Sequence, residues 1–333
     1  MTRPGLVLLL ALALAVSGCQ FEELAPPRRH RIGTTPDLQA DLAGHLDSLQ
    51  ARTALYARDL TTGREVAVRA DEPMNTASVI KLAIMVLAYR DAEAGTFDLE
   101  ARRTLRPEDF RGGSGVLRQF APGLQPTWRD LVTQMIVTSD NTATDLVIAA
   151  VGLDRVNRML DSLGYTETRL RTTTGALFRG VWEAADSGNA RLSDREVFER
   201  GFPSDSGAAA RDFAYAQDST RWLGRTTARE TGHLLEQIER GELAGPAATA
   251  AMRRTLLAQV YSSRLPLRLR SLAEVAHKTG DWPPVLANDA GIVYAPKGPI
   301  VVVVFGSENR GDYLALEGAI GVVARDLFDA WGR

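Results

Sequence analysis

The sequence predicts a mixed α/β chain of the α+β kind, with an antiparallel sheet built from both termini, flanked by helices, beside a mainly helical lobe. Three observations carry that prediction. Strand-like runs at 53–60 and 65–69 flank the turn residues Thr61-Thr62-Gly63-Arg64. Strand signals then return only in 274–279, 291–294 and 300–305. Between about residues 92 and 258 the apolar spacing is mostly helical. A sheet closed by the two ends of a chain, with helices between them, leaves a cleft between lobes where a site can sit.

Composition narrows the function. With 333 residues, 45% of them hydrophobic, the chain can bury one large core or two smaller ones. The net charge of −2, without a basic stripe interleaved with aromatics, argues against a nucleic-acid partner. A single cysteine excludes an internal disulfide and a thiolate metal cluster. His30, His45, His233 and His277 are scattered without metal-ligand spacing, so neither metal nor cofactor is expected.

Taken in order, the chain opens with a targeting signal. Arg3 supplies the positive charge, and 6–16 is an apolar run too short for a permanent membrane span. It ends in Val16-Ser17-Gly18-Cys19, which resembles a bacterial lipoprotein signal; the resemblance implies lipidation of Cys19 as the first mature residue. Residues 1–18 are thus read as signal peptide and 19–36 as a tether, carrying Pro26-Pro27-Arg28-Arg29. The expected product is a monomer held by acyl chains in the cell envelope, outside the cytoplasm. The folded domain, 37–333, divides into a sheet lobe (37–70 and 259–333) and a helical lobe (71–258), with an insert near 176–223. Thr35 ahead of Pro36 reads as a helix start, followed by Leu38, Leu42, Leu46 and Leu49 on one face.

Later boundaries follow from capping chemistry. Thr127 with Asp130 opens a helix carrying Leu131, Met135 and Ile136. Two more helices cover 144–150 and 153–163, the second ended by Gly164. Thr227-Ala228-Arg229-Glu230 reads as a capping box before Leu234, Leu235 and Ile238. A closing helix carries Leu316, Ile320, Val323 and Leu327.

Three segments carry chemistry. In Asn75-Thr76-Ala77-Ser78-Val79-Ile80-Lys81, the start of an apolar helix, i,i+3 spacing puts the Ser78 hydroxyl and the Lys81 amine on one face, within hydrogen-bonding reach. Burial would lower the pKa of the lysine, as an amine that takes a proton from serine requires. Alone, the pattern also fits an ordinary serine and a snorkelling lysine. Ser139-Asp140-Asn141 follows an apolar run and favours a turn with free polar side chains. Lys278-Thr279-Gly280 ends a strand, where period-two alternation separates Ala276 and Lys278 from His277 and Thr279.

Together, in this order and these contexts, the three segments resemble the serine β-lactamase and penicillin-binding protein superfamily, specifically its class A group. Gly112-Gly113-Ser114-Gly115-Val116-Leu117 and Asn288-Asp289-Ala290-Gly291 are also similar to that family. The resemblance implies Ser78 as nucleophile, Lys81 as its general base, and Ser139 as proton relay to the leaving nitrogen, assisted by Lys278. It implies that Asn141 bonds the substrate's side-chain amide, that Lys278 and Thr279 meet its carboxylate, and that Gly280 and Asp281 belong to the substrate-binding set. The oxyanion would lie between the N–H groups of Ser78 and Asp281. A Ser-His-Asp enzyme built on His277 is disfavoured, because no Gly-x-Ser-x-Gly elbow occurs.

Two departures accompany the likeness. After Leu163-Gly164-Tyr165-Thr166-Glu167-Thr168-Arg169-Leu170, a Glu-x-x-Leu-Asn pattern is expected, and Arg171-Thr172-Thr173-Thr174-Gly175 stands there. Thr174 thus takes the place of the deacylating glutamate; Glu183 is the nearest substitute, although it reads as a surface residue. No carboxylate-binding arginine occurs near Val285, and Arg264 is expected to replace it from a neighbouring strand. The expected activity is opening of β-lactam or related amides through an acyl-enzyme that is released slowly. Alternatives are a penicillin-binding-type peptidase or transpeptidase acting on peptidoglycan-like stems, an esterase, or a non-enzymatic β-lactam sensor or structural lipoprotein.

Overall fold

Leu38, Leu42 and Leu46 recur at helical spacing, and in helix α1 (Thr35–Asp47) they form one buried stripe. The computed structural model describes residues 35–333; the signal segment, Cys19 and most of the tether lie outside the described residues. Strands β1 (Arg52–Asp59) and β2 (Glu65–Val68) follow, joined by the turn the sequence marks. Asp59 closes that turn by accepting from the N–H groups of Thr61 and Thr62 and from the Thr62 hydroxyl.

The next segment departs from expectation. Met74–Asn75 forms a short strand, β3, Ala77–Ile80 forms a 3-10 turn, and helix α2 (Lys81–Glu93) begins only at the lysine. The reason is local. Ala77 adopts φ 41°, its N–H is bound by the Asn75 side chain, and the Thr76 N–H is bound by Gly224 O. The chain therefore reverses sharply from strand to helix. In a 3-10 turn residues three apart eclipse, so Ser78 and Lys81 still share a face.

Helix α3 (Trp128–Val137) starts at the expected cap. Helix α4 (Asn141–Val151) starts three residues before the expected 144, because Asp140 caps it and draws Asn141 into its first turn, and α5 (Leu153–Ser162) follows Gly152 without a side-chain cap. Thr127 and Asp130 form a reciprocal box, while Asp140 caps α4 through Ala143 N. Strand β4 (Arg169–Leu170) then leads into α6 (Thr174–Ala185), α7 (Asp194–Arg200) and α8 (Ala208–Gln217), and strand β5 (Gly224–Thr226) returns. The polar insert is thus three helices. Its two ends are joined, since β5 pairs with both β3 and β4 and Arg171 N donates to Leu223 O. A long excursion closed at its neck costs little, because closure entropy grows slowly with length.

Helices α9 (Ala228–Arg240) and α10 (Pro246–Leu257) complete the helical lobe. Only half of the expected capping box forms at α9. Thr227 accepts from Glu230 N, but the Glu230 carboxylate turns away to bind the N–H groups of Thr166, Glu167 and Thr168. Strands β6 (Glu274–Trp282), β7 (Leu286–Ala295) and β8 (Gly298–Ser307) and helix α11 (Tyr313–Leu327) close the chain.

The main sheet is antiparallel in the order β2-β1-β8-β7-β6, with Leu55 opposite Val304 and Lys278 opposite Ala290. Tyr56, Ala276, Ile292, Val301, Val303 and Phe305 join the core of the helical lobe; Leu55, Val275, Val293, Val302 and Val304 join the core under α1 and α11. Both faces are covered, so β8 is apolar throughout rather than alternating. Each buried Val, Leu, Ile or Phe side chain among them contributes about 1.5–3 kcal/mol by leaving water.

Candidate active site

Three elements converge where β6 passes the 3-10 turn. Gly280 permits the approach: a Cβ there would stand 2.5 Å from Thr76 O and 3.2 Å from Ser78 N. Asn288 on β7 fastens the other side, donating from Nδ2 to Asn75 O at 2.8 Å and Thr76 O at 3.2 Å. The Ser139 segment is held from the glycine-rich loop, because Asp140 accepts from Leu117 N and Asn141 N donates to Ser114 O. Ser139 itself sits at φ 55°. Two non-glycine residues in left-handed conformations, Ala77 and Ser139, thus flank the meeting point, the kind of strain that surrounding structure must hold in place.

The side chains meet around one hydroxyl. Lys278 Nζ donates to Ser139 Oγ at 3.0 Å and to Thr279 O at 2.7 Å. Lys81 Nζ lies 3.2 Å from Ser139 Oγ, 2.7 Å from Ser139 O and 2.9 Å from Asn141 Oδ1. Both amines are fully buried. Burial holds Lys81 well below the usual lysine range, and the nearby Lys278 charge pushes it the same way. Burial likewise brings Lys278 down to about 7. The spacing of Ser78 and Lys81 predicts a direct contact, yet no hydrogen bond links them among the described residues. In the neutral form Lys81 has only two donors, and its lone pair is free to receive a proton.

Ser78 is partly exposed and lines a cleft of about 560 Å³ between the lobes. Asn141, Thr174 and Asp281 line it too, while Lys81, Ser139 and Lys278 lie buried behind that surface. Asn141 Nδ2 donates one proton to Gly112 O, leaving the other for a ligand.

Other expected residues fall elsewhere. Arg264 is not on a strand; it precedes the one-turn segment Leu265–Arg268 beneath β6 and is buried. Its guanidinium is engaged by Asp281, by Glu317 at 2.8 Å, by Tyr313 Oη and by the carbonyls of Gly280 and Asn288. That corrects its expected placement: five partners fix it behind the strand, and it does not line the cleft. Thr279 does not line the cleft either, and its buried Oγ1 has no hydrogen-bond partner. His277 is buried with Nδ1 2.9 Å from Asp289, on the strand face opposite Lys278, so it is no partner for Ser78. Glu183 is exposed on α6 and lies outside the cleft wall.

Two residues that carried no motif organise the position of the expected glutamate. The buried carboxylate of Asp145, one turn beyond Asn141 on α4, accepts from Thr174 N (2.7 Å), Thr174 Oγ1 (2.8 Å), Gly175 N (2.8 Å) and Arg111 Nε (2.8 Å). Arg111 then reaches Asp194 of α7 at 2.8 Å. The i,i+4 step from Asn141 to Asp145 was the available sequence signal.

The family model described as "Beta-lactamase enzyme family" matches residues 37–331. A beta-lactamase of Streptomyces lavendulae is 26% identical over 337 residues, covering 98% of this chain and 96% of that protein. The structure of a beta-lactamase from Sphaerobacter thermophilus is similar with a TM-score of 0.71 at 26% identity, covering 89% of this chain and 97% of that one. A mutant of PBP-A in an acyl-enzyme complex with penicillin G shares the fold with a TM-score of 0.68 at 22% identity, covering 89% and 96%.

Proposed function

The chain belongs to the beta-lactamase enzyme family, and from that premise we propose that it is a serine hydrolase opening β-lactam or related amide substrates through an acyl-enzyme on Ser78. The observation that carries the reading is the convergence of two buried amines, 3.2 Å and 3.0 Å away, on the Ser139 hydroxyl behind a cleft that Ser78 lines. Ser78 Oγ attacks the carbonyl carbon, and its proton passes to neutral Lys81, directly or through a water. As the C–N bond breaks, Ser139 gives its proton to the leaving nitrogen and is reprotonated from the lysines beside it. The Ser78 and Asp281 N–H groups receive the oxyanion. Charged Lys278 attracts a substrate carboxylate.

Release of the acyl group is the slow half. Thr174 stands where a glutamate is expected, and its hydroxyl proton is directed to Asp145. A threonine hydroxyl cannot serve as base near neutral pH. No glutamate lines the cleft among the described residues. The same feature favours, as a second reading, a penicillin-binding-type peptidase or transpeptidase, for which a lasting acyl-enzyme is no handicap. Val16-Ser17-Gly18-Cys19 supports a lipid anchor on Cys19 and a place in the cell envelope.

The test is to mix purified protein with a chromogenic cephalosporin while following intact mass. Expected are a burst of about one equivalent, a visible ester, slow release, and no adduct in Ser78→Ala. Thr174→Glu should accelerate release. Labelling of Ser78→Ala at another residue would discard the nucleophile, whereas rapid turnover without an adduct would discard slow release and turn attention to Glu183.

A further inference from the structure

The insert is the far wall of the cleft, and its chemistry is specific. Phe178 and Phe202 meet edge to face with centroids 5.0 Å apart, and Tyr215 stacks on Trp282 at 5.9 Å. All four rings line the cleft. Phe202 is 45% exposed, a large apolar surface left open at that wall. On α8, Asp212, Tyr215 and Ala216 stand at i, i+3 and i+4, so a single helix face turns a carboxylate, a ring and a small residue toward the cleft.

Three charged residues line this cleft, and two are already engaged. Asp281 is joined to Arg264. Arg221 is 3.0 Å from Asp218 and lies over the Tyr215 ring at 5.1 Å. Asp212 has neither a hydrogen bond nor an ion pair among the described residues; the charge of Arg211 acts on it, but that guanidinium is joined to Asp205. A half-buried carboxylate without a partner, set among aromatic rings, is short of a cation.

We propose that this wall is the subsite for the acyl side chain of the substrate, and that it takes an aromatic side chain bearing a primary ammonium, which Asp212 receives while the rings cover the apolar part. The inference rests on the acyl-enzyme reading above and deepens it. Asn141 would bind the amide linking that side chain to the reacting ring, and the insert would read what lies beyond the amide. A cation seated there also offsets the burial that raises the Asp212 carboxyl above its ordinary range.

Benzylpenicillin and ampicillin differ only in an α-amino group on the phenyl-bearing side chain, which makes them a matched pair. The measurement is the second-order rate of Ser78 acylation by each, followed by mass at about pH 6.5, where the amine is largely protonated. The rate ratio within one protein cancels differences in active fraction or fold. Expected is a preference for ampicillin of about fivefold, the scale of one partly exposed ion pair. The ratio should fall to about one in Asp212→Asn and persist in Asp212→Glu. A ratio near one in the unaltered protein, or a ratio that Asp212→Asn leaves unchanged, overturns the proposal while leaving Ser78 acylation standing. Failure of either compound to acylate Ser78 removes the underlying reading, and the proposal with it.

Discussion

A lysine enclosed in protein cannot keep the charge it holds in water without compensation, and Lys81 and Lys278 are both fully enclosed. Their proposed tasks need opposite charge states: Lys81 must be neutral to accept a proton, and Lys278 must be charged to attract a carboxylate. Lys278, brought down to about 7, is protonated below that pH and loses its charge above it. Acylation by an anionic β-lactam should therefore weaken as pH rises through about 7, with the acid limb belonging to Lys81. In Lys278→Arg the guanidinium stays charged, so the alkaline limb should move up by more than about two pH units. An alkaline limb unmoved in that variant, measured as acylation rate against pH, would assign it to another group. The segments that bring Lys81 and Lys278 to Ser139 are legible in sequence, because the residue types of each are tied to local structure. The missing Ser78–Lys81 hydrogen bond is not legible, because it depends on Ser139 O and Asn141 Oδ1, contributed some sixty residues away.

Among the elements, the insert is the one whose attachment matters most to the site. Its neck is closed by β4 and β5, and its body is fastened by charge: Asp145 on α4 to Arg111, Arg111 to Asp194 on α7, and Asp194 to Arg179 on α6. Arg111 and Asp145 are largely buried, with side-chain exposures of 12% and 6%. Arg111→Met should cost about 2–3 kcal/mol, below the range for a fully buried pair because three other donors remain on Asp145. Thermal melting should register that loss, and limited proteolysis should map new cuts between α6 and α8; an unchanged digest would show that the neck alone holds the insert. Within the insert, α7 and α8 leave little periodic trace because they bury only Val197 and only Tyr215 and Ala216, respectively. The start signal of α7 was nonetheless present, since Ser193 and Glu196 form the same reciprocal box as Thr127 and Asp130. At α9 the reverse occurred: the box motif was there, but tertiary contacts drew Glu230 to the loop before β4.

For the whole molecule, the two-ended sheet was legible because strand patterns occur at both ends of the chain and helical spacing fills the middle. The placement of Arg264 was not, since a buried arginine satisfied by Asp281, Glu317 and backbone carbonyls leaves no periodic trace. At this scale the proposed anchor also has its test. Cys19→Ser should release the protein from membrane fractions while Ser78 acylation proceeds at the same rate; equal membrane retention of both forms would remove the lipid. The sheet order has one more consequence. β1, near the start of the fold, has β2 on one side and β8 on the other, and Leu55 meets Val304 there. The Ser78 segment follows this hairpin directly, but Lys278 arrives on β6, next to β7, which needs β8 to reach β1. Contacts so distant in sequence form late and slowly. Ser78 acylation, followed during refolding, is therefore expected to lag the gain of secondary structure and to appear with the completed sheet; acylation at full rate before β6 to β8 have paired would remove that dependence.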